Sequence, residues 1–245
     1  MGRSADDLAL LLSVQSGYDA WAPLSLEGAA PDWYDRLAHD FKGARIGWLG
    51  DLGGYLPFEG EILSLCESAL TCFGATGVDI EPVQPDFDWQ RIWRSFVVLR
   101  QFGLGDKYGP AYDRAETRAL LKPELQWEIA QYRALSVPDV QRALLDRTAW
   151  YDHLFGLFSR YDFLVLPTAQ VFPFPIERSW PREVAGRTMD SYHRWMEVVT
   201  PGTLSGCPVI NLPVGFGPNG LPMGMQIVDR ATICLCCNWR ICTKN

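Results

Sequence analysis

The sequence predicts an α/β fold in which a mixed, largely parallel β-sheet is flanked by helices. Patterns typical of strands and helices alternate along the 245 residues, and a strand, a helix and a second strand follow one another between residues 45 and 82. Hydrophobic residues make up 48% of the chain, which is enough for a sizeable core. No internal repeat or interdomain linker interrupts this pattern.

The first part of the chain supplies the predicted βαβ unit. Residues 6–15 have leucines at helical spacing after Ser4, a residue that favours the N-cap position. The short apolar run 45–49 predicts a buried strand, and 77–82 predicts its parallel neighbour. Residues 59–73, between these strands, have the period of a helix. A connection of this length between strands normally gives parallel pairing.

The rest of the chain predicts a helical segment followed by the remaining strands. Proline stands in the first turn of two of these helices, where its missing N–H costs nothing. Helices are predicted over residues 87–102, 123–135, 138–158 and 189–199. Strands are predicted over residues 161–167, 209–213 and 223–228.

Charge and composition exclude several functional classes. A net charge of −7 argues against a nucleic-acid partner, because phosphate neutralisation requires a basic surface. The apolar runs are shorter than the roughly 20 residues needed to cross a bilayer. The acids Asp6 and Asp7 lie where a secretory signal would be positively charged, so we expect a cytoplasmic protein. Cys66, Cys72 and Cys207 lie in apolar contexts and are expected to be reduced core residues.

A segment near the end of the chain carries a family resemblance. Residues 203–217 read TLSGCPVINLPVGFG, and residues 220–228 read GLPMGMQIV. Together they resemble the C-terminal core of the amidase signature family of amide hydrolases. Residues 3–12, 42–48 and 161–168 are similar, in the same order, to further segments of that family. The resemblance therefore covers the C-terminal part of the family's domain and implies the amidase signature fold.

The resemblance also implies a chemistry. Members of the family hydrolyse carboxylic amides without a cofactor, through a Ser-Ser-Lys triad and an acyl-serine intermediate. No Gly- and Ser-rich catalytic stretch follows any of the lysines of this chain, which are Lys42, Lys107, Lys122 and Lys244. We therefore expect no catalytic residue here, an incomplete fold whose N-terminal catalytic portion is missing, and no activity of the chain alone.

The same reasoning divides the chain into two parts. Residues 1–228 are expected to form the C-terminal portion of a single amidase-family domain. Residues 229–245 form an atypical tail with four cysteines, which reads like out-of-frame sequence. These cysteines lack the paired two-residue spacing of zinc sites, so no metal is expected. The resemblance implies no cofactor.

Five residues are candidates for the lining of a substrate pocket. The resemblance implies that the loop after the strand at 161–167 and the segment around residues 195–207 face a small amide substrate. The candidates are Thr168, Phe172, Trp195, Thr203 and Cys207. Aromatic residues are as readily explained as core residues, which remains the alternative for Phe172 and Trp195. His153 and His193 are expected to be partly buried, hydrogen-bonded residues and not catalytic bases.

Two other functions remain open. The chain could be a binding or assembly partner that complements an N-terminal half or a homologue. The apolar helix 87–102 would suit such an interface, although the same stripe would pack inside an intact domain. An uncovered sheet edge would favour such association, including with a second copy. An independent enzyme that uses Ser205 or Cys207 as its nucleophile is the third hypothesis.

Overall fold

A five-stranded sheet forms the centre of the protein in a computed structural model that describes residues 2, 4–25, 27–28, 32–37 and 40–230. Its strands are β1 (Arg45–Trp48), β2 (Asp79–Pro82), β3 (Phe163–Pro167), β6 (Val209–Phe216) and β7 (Pro222–Asp229). A separate two-stranded hairpin consists of β4 (Glu183–Val184) and β5 (Arg187–Thr188). The order in the large sheet is β2-β1-β3-β7-β6, and only β7 runs opposite to the other four strands. The predicted mixed, largely parallel sheet is confirmed.

The predicted βαβ unit is present, with α2 (Ile62–Gly74) between β1 and its parallel neighbour β2. The helix begins three residues later than predicted, because Glu61 has a φ of 70° and cannot continue a right-handed turn. Glu59 belongs instead to the preceding loop, where its carboxylate accepts a hydrogen bond from the Phe172 N–H at 2.8 Å. This bond joins the start of α2 to the loop that follows β3.

Helices cover the sheet. They are α1 (Ala5–Gln15), α2, α3 (Trp89–Asp113), α4 (Ala115–Arg118), α5 (Pro123–Tyr132), α6 (Val137–Leu157), α7 (Thr200–Ser205) and a 3-10 helix over Arg194–Val199. Ser4 caps α1 as predicted, by accepting a hydrogen bond from the Asp7 N–H. Ser136 and Asp139 form a reciprocal capping box at the start of α6. Of the helices in the described ranges, none combines the length and apolar character that a bilayer span requires.

The long helix α3 buries one face, mostly in its first turns, within the helical layer. Trp89, Ile92 and Trp93 are at most 8% exposed, and the helix packs between α5 and α6. Gly105 permits a close approach, because a Cβ at this position would overlap the ring of Tyr132 on α5. The apolar stripe predicted as an interface is therefore used within the domain.

The segment before β6 differs from the sequence prediction. Residues 189–199 were expected to form one helix, but helical structure begins only at Arg194 and is of the 3-10 type, with a non-helical φ of −113° at Met196. Met189 instead packs in a small apolar cluster with Trp180 and Val184. The following helix α7 was not predicted; it ends at Gly206, whose φ of 69° favours glycine. The packing of Met189 therefore replaces the first turns of the helix that the residue spacing predicts.

Among the apolar side chains that are exposed in the described structure, one group lies on α6 and another at the border of the sheet. On α6, Leu144, Leu145, Tyr151 and Phe155 are each between 47% and 64% exposed. At the sheet border, β6 pairs only with β7 among the described residues, and Phe216 at its end is 70% exposed. Surfaces of this kind mark interaction sites in many proteins.

Candidate functional site

The amide of Gln226 on β7 connects the two segments that the sequence predicts to face a substrate. Its Nε2 donates hydrogen bonds to the carbonyl of Pro167 at 2.9 Å and to that of Val198 at 3.1 Å. A Cβ on Gly202 would lie 2.9 Å from Oε1 of the same amide. The side chain is 3% exposed, so its bonds are shielded from water. Gln226 therefore fixes the end of β3 and the start of α7 relative to each other.

Helix α6 holds α7 from the opposite side. The indole N–H of Trp150 donates to the Pro201 carbonyl at 2.9 Å, and Nε of Arg147 donates to the Leu204 carbonyl at 3.2 Å. The second bond pairs one of the carbonyls that remain without a partner at the end of a helix. Arg147 also places a positive charge beside Gly206, which the sequence pattern gave no reason to expect.

Thr168 lies where β3 ends against the two last strands. Its N–H donates to the Gly224 carbonyl at 2.9 Å, and its hydroxyl donates to Oδ1 of Asn211 at 3.1 Å. The residue is half-buried, and Gly224 leaves room for its hydroxyl. Thr168 and Asn211 thus place a polar pair at the same end of the sheet as Gln226.

Phe172 and Trp195 occupy different surroundings. Phe172 is buried in the main core, and its ring fills the space where a Cβ of Gly217 would be. Trp195 belongs to the separate cluster around Trp180, and its ring meets Phe174 edge to face with centroids 5.4 Å apart. The indole N–H of Trp195 is buried and has no hydrogen-bond partner among the described residues. A buried donor without a partner is uncommon, which distinguishes Trp195 from an ordinary core tryptophan.

Thr203 is exposed on α7, and Cys207 is half-buried one turn beyond it. Between them, Ser205 is 1% exposed; its hydroxyl donates to the Gly202 carbonyl at 2.6 Å and accepts from the Cys207 N–H at 2.9 Å. Burial raises the pKa of the Cys207 thiol above its ordinary value, although the hydrogen bond with Ser205 opposes this. Neither side chain therefore has the environment of an activated nucleophile.

Three of the four lysines, Lys42, Lys107 and Lys122, lie within the residues that the structure describes. No hydrogen bond joins a lysine side chain to a serine there. The stem of Lys42 packs beside Gly77, and Lys107 lies over the ring of Tyr108 at 5.2 Å. Lys244 lies outside the described residues, as do the four cysteines of the tail.

A buried ionic network supports the 3-10 helix that precedes α7. Glu197 is 3% exposed and accepts hydrogen bonds from the Tyr55 hydroxyl at 2.6 Å and from Arg194 at 3.0 Å. Arg194 also pairs with Asp190 at 3.0 Å. Burial of Tyr55 and its bond to the Glu197 carboxylate raise the pKa of the phenol strongly, so it stays protonated and donates. The network fixes the backbone on which Trp195 is carried.

The two histidines of the described helical region differ. His193 is hydrogen-bonded as expected, with Nε2 2.6 Å from Oε1 of Glu128. The prediction that His153 is hydrogen-bonded is wrong, because its Nε2 is buried and has no hydrogen-bond partner among the described residues. Its ring stacks on Trp150 with centroids 5.9 Å apart, so aromatic packing and not hydrogen bonding determines its position.

The same described ranges contain no group of three or more His, Cys, Asp or Glu side chains arranged to hold a metal ion. What the site offers is a set of hydrogen-bonding groups around a short helix. Thr168, Asn211 and Gln226 lie on the sheet side, and Arg147 lies on the side of α6. Because these groups bond to one another and to the backbone, they fix the geometry of the segment around α7.

Comparison with known proteins gives a consistent assignment. A family described as Amidase matches residues 1–232. An acylamidase of Rhodococcus erythropolis is 28% identical over 236 residues, which cover 93% of this chain and 47% of the acylamidase. An amidase of Pseudomonas putida is 27% identical over 89% of this chain and 46% of its own length. The crystal structure of a bacterial aryl acylamidase of the amidase signature family superposes with a TM-score of 0.84 at 25% identity, over 95% of this chain and 49% of the other. The chain spans about half the length of the curated relatives it matches.

Proposed function

The chain belongs to the amidase signature family, and from this premise we propose that it is the part of an amide hydrolase that builds the wall of the substrate pocket. In this proposal the Ser-Ser-Lys triad of intact relatives is supplied by sequence that this chain does not contain. Residues 1–228 act as the C-terminal portion of one domain. The chain alone is then catalytically inactive.

The state of Ser205 is the observation that carries this proposal. Attack on an unactivated amide requires a serine whose proton can pass to a neighbouring base. Ser205 is the serine of the matched segment, but its hydroxyl donates to a backbone carbonyl and it is 1% exposed. This bond lies in the last turn of α7, and the carbonyl that accepts it cannot take up the hydroxyl proton of Ser205. The environment supports a structural role for Ser205 and argues against the independent-enzyme hypothesis.

The pocket wall in this proposal consists of a group of hydroxyl and thiol side chains and a pair of aromatic side chains. Thr168 and Thr203 present hydroxyls at the end of the sheet and on α7, where they can bond the amide or the leaving group. Cys207 contributes a protonated thiol beside them. Trp195 contributes its unpaired indole N–H. Phe172 packs in the main core and supports the loop that follows β3. Their chemistry suits a small carboxylic amide with an apolar acyl or aryl part.

Hydrolysis of an amide panel tests this function. The purified chain is incubated with small aryl and alkyl amides, and the release of ammonia or aniline is measured. We expect no turnover above that of a mock purification. Turnover that persists through a second purification step and disappears in Ser205→Ala or Cys207→Ala would contradict the proposal and support an independent enzyme.

An assembly role is the second candidate, and the exposed surfaces favour it. The buried stripe of α3 is not available, but the face of α6 around Leu144 and Phe155 and the open edge of β6 are exposed. We propose that an N-terminal half of the same family, either separate or within a homologue, covers these surfaces. The curated relatives are about twice as long as this chain, so their N-terminal half is the partner that this proposal names.

Co-expression distinguishes the two candidates. The chain is produced with a tagged N-terminal half of the Rhodococcus acylamidase type, and both co-purification and amide hydrolysis are measured. Assembly predicts a complex that is lost in Leu144→Lys or Phe155→Lys. Gln131→Lys, on the exposed side of α5, adds the same charge and should leave the complex intact. Absence of a complex, or equal loss in all three variants, would refute assembly through α6.

The compartment is part of the same proposal. The three cysteines in the described ranges, Cys66, Cys72 and Cys207, are free thiols. Reduced cysteines persist in a reducing compartment, which supports the cytoplasm.

A further inference from the structure

In the part of the chain that the structure describes, one cavity lies apart from the five residues proposed to line a substrate pocket. It has a volume of about 640 Å³ and is bounded by α3, by the start of α5 and by the loop that follows Phe174. None of the five pocket candidates lines it. Its volume is within the range of small-molecule sites, which extends from about 300 to 1,000 Å³. We propose that this cavity binds a small organic carboxylate with an apolar body.

The base of the cavity is a buried ionic cluster. Glu128 and His193 are 2% and 3% exposed. Oε1 of Glu128 lies 2.6 Å from Nε2 of His193 and 2.7 Å from Nε of Arg100. Burial favours the protonated acid, but the two hydrogen bonds outweigh it and lower the pKa of Glu128 below its ordinary value. The carboxylate is therefore ionised and already paired, and it does not compete for a cationic ligand.

Two further cations of the cavity have no such partner. Lys122 stands at the start of α5, and Arg178 lies on the facing loop. Within the described ranges, neither forms an ion pair with a carboxylate. Glu124 is the remaining acid of the lining. With Arg100 paired to Glu128, the charges of Lys122, Arg178 and Glu124 leave one net positive charge on the lining, which a single negative charge would neutralise.

Apolar side chains complete the cavity. Leu104 on α3, Leu125 on α5 and Ile176 on the loop line it together with Tyr108 and Tyr192. Ile176 is 94% exposed, so a ligand that covers it would bury apolar area now in contact with water. This combination matches a carboxylate group attached to an aliphatic or aryl body, and a bare inorganic anion would leave the apolar wall unused.

Isothermal titration calorimetry of the full chain with 4-phenylbutyrate tests the site. We expect saturable binding, with at least about tenfold weaker affinity for acetate, for inorganic phosphate and for the uncharged 4-phenylbutan-1-ol. The double variant Lys122→Gln/Arg178→Gln should lose about tenfold or more in affinity. Arg142→Gln removes an exposed cation of α6 outside the cavity and should bind like the original protein.

Three outcomes would overturn the proposal. The first is the absence of binding to the original chain at millimolar 4-phenylbutyrate. The second is equal affinity for the carboxylate and the alcohol, which would show that the cations do not recognise charge. The third is equal loss in the double variant and in Arg142→Gln, which would assign the effect to net charge. Near-ultraviolet circular dichroism of each variant confirms that its aromatic packing is unchanged before titration.

Discussion

The side-chain nitrogen of Gln226 lies 3.1 Å from the carbonyl oxygen of Val198, so the last strand of the sheet is bonded to the helical turn before α7. Nothing in the local sequence of either residue requires this contact, because 28 positions separate them along the chain. The Gln226 amide therefore positions α7 together with the bonds that Trp150 and Arg147 donate from α6.

Replacing Gln226 with leucine should destabilise the fold. The carbonyls of Pro167 and Val198 would each lose a buried donor, and an unpaired buried polar group costs about 1–3 kcal/mol. The free energy of unfolding, measured by urea denaturation, should decrease by at least this amount. Gln141→Leu, at an exposed position of α6, is the matched control and should change stability by less than about 0.5 kcal/mol. Equal stability of the two variants would show that the Gln226 bonds are not needed.

Two glycines of α3 should respond in opposite directions to alanine. Gly105→Ala introduces a methyl group into the ring of Tyr132, and overpacking of this kind costs about 1–3 kcal/mol. Gly103 is two residues earlier in the same helix, with nothing within 4 Å of its Cβ position. Gly103→Ala should therefore be neutral or stabilise by up to about 1 kcal/mol. Thermal unfolding of both variants measures the difference, and a stabilising Gly105→Ala would mean that α3 and α5 do not pack as closely as described.

Stability should decrease in acid partly because of Glu128. Its folded-state pKa lies below the ordinary value of about 4.3, so the unfolded chain binds the proton more readily. The stabilising contribution is complete above the ordinary pKa and is lost as the pH falls through the folded-state pKa. Urea unfolding between pH 3 and pH 7 should show a smaller acid loss for Glu128→Gln than for the original protein. At pH 7 the variant should be less stable by about 1–3 kcal/mol, because Arg100 and His193 lose a charged acceptor. Parallel curves for the two proteins would contradict the role of Glu128.

Cys66 should be inert while the protein is folded. Burial raises the pKa of its thiol to about 12, and the residue is 0% exposed. A short pulse of iodoacetamide at pH 8, followed by peptide mass spectrometry, should leave Cys66 unmodified, because the thiolate is the reactive form. The same pulse in 8 M urea provides the control and should modify it fully. Rapid native modification would show that α2 opens away from the sheet.

The sequence predicted the sheet better than the segment between the small hairpin and β6. The strands at 45–48 and 163–167 were recognisable because both are short apolar runs, and such runs suit buried strands wherever they pair. Trp195 could not be placed in this way. Its helical spacing with Met189 and Val199 predicted one continuous helix, but contacts of Met189 with the hairpin region replace the first turns.

The ionic groups were the least predictable part. Glu128 and His193 are 65 positions apart in the sequence, and neither belongs to a recognisable motif. Arg147 reaches Leu204 across 57 positions for the same reason. Pairing of this kind depends on how helices pack against loops, which periodicity does not specify. The resemblance identified the segment 203–228, but only the structure shows Gln226 as the residue that connects it.

The pairing of β1 with β3 has a consequence for synthesis on the ribosome. Ile46 is the register partner of Phe163, so more than a hundred residues must be translated before β1 can pair with the central strand β3. At about 5–20 residues per second this takes on the order of ten seconds. During this time the apolar residues of β1 and α2 that later pack on β3 are exposed to water. Nascent chains of this protein should therefore depend on chaperones until β3 and β7 have emerged, and a stalled chain shorter than residue 163 should be a preferred chaperone client.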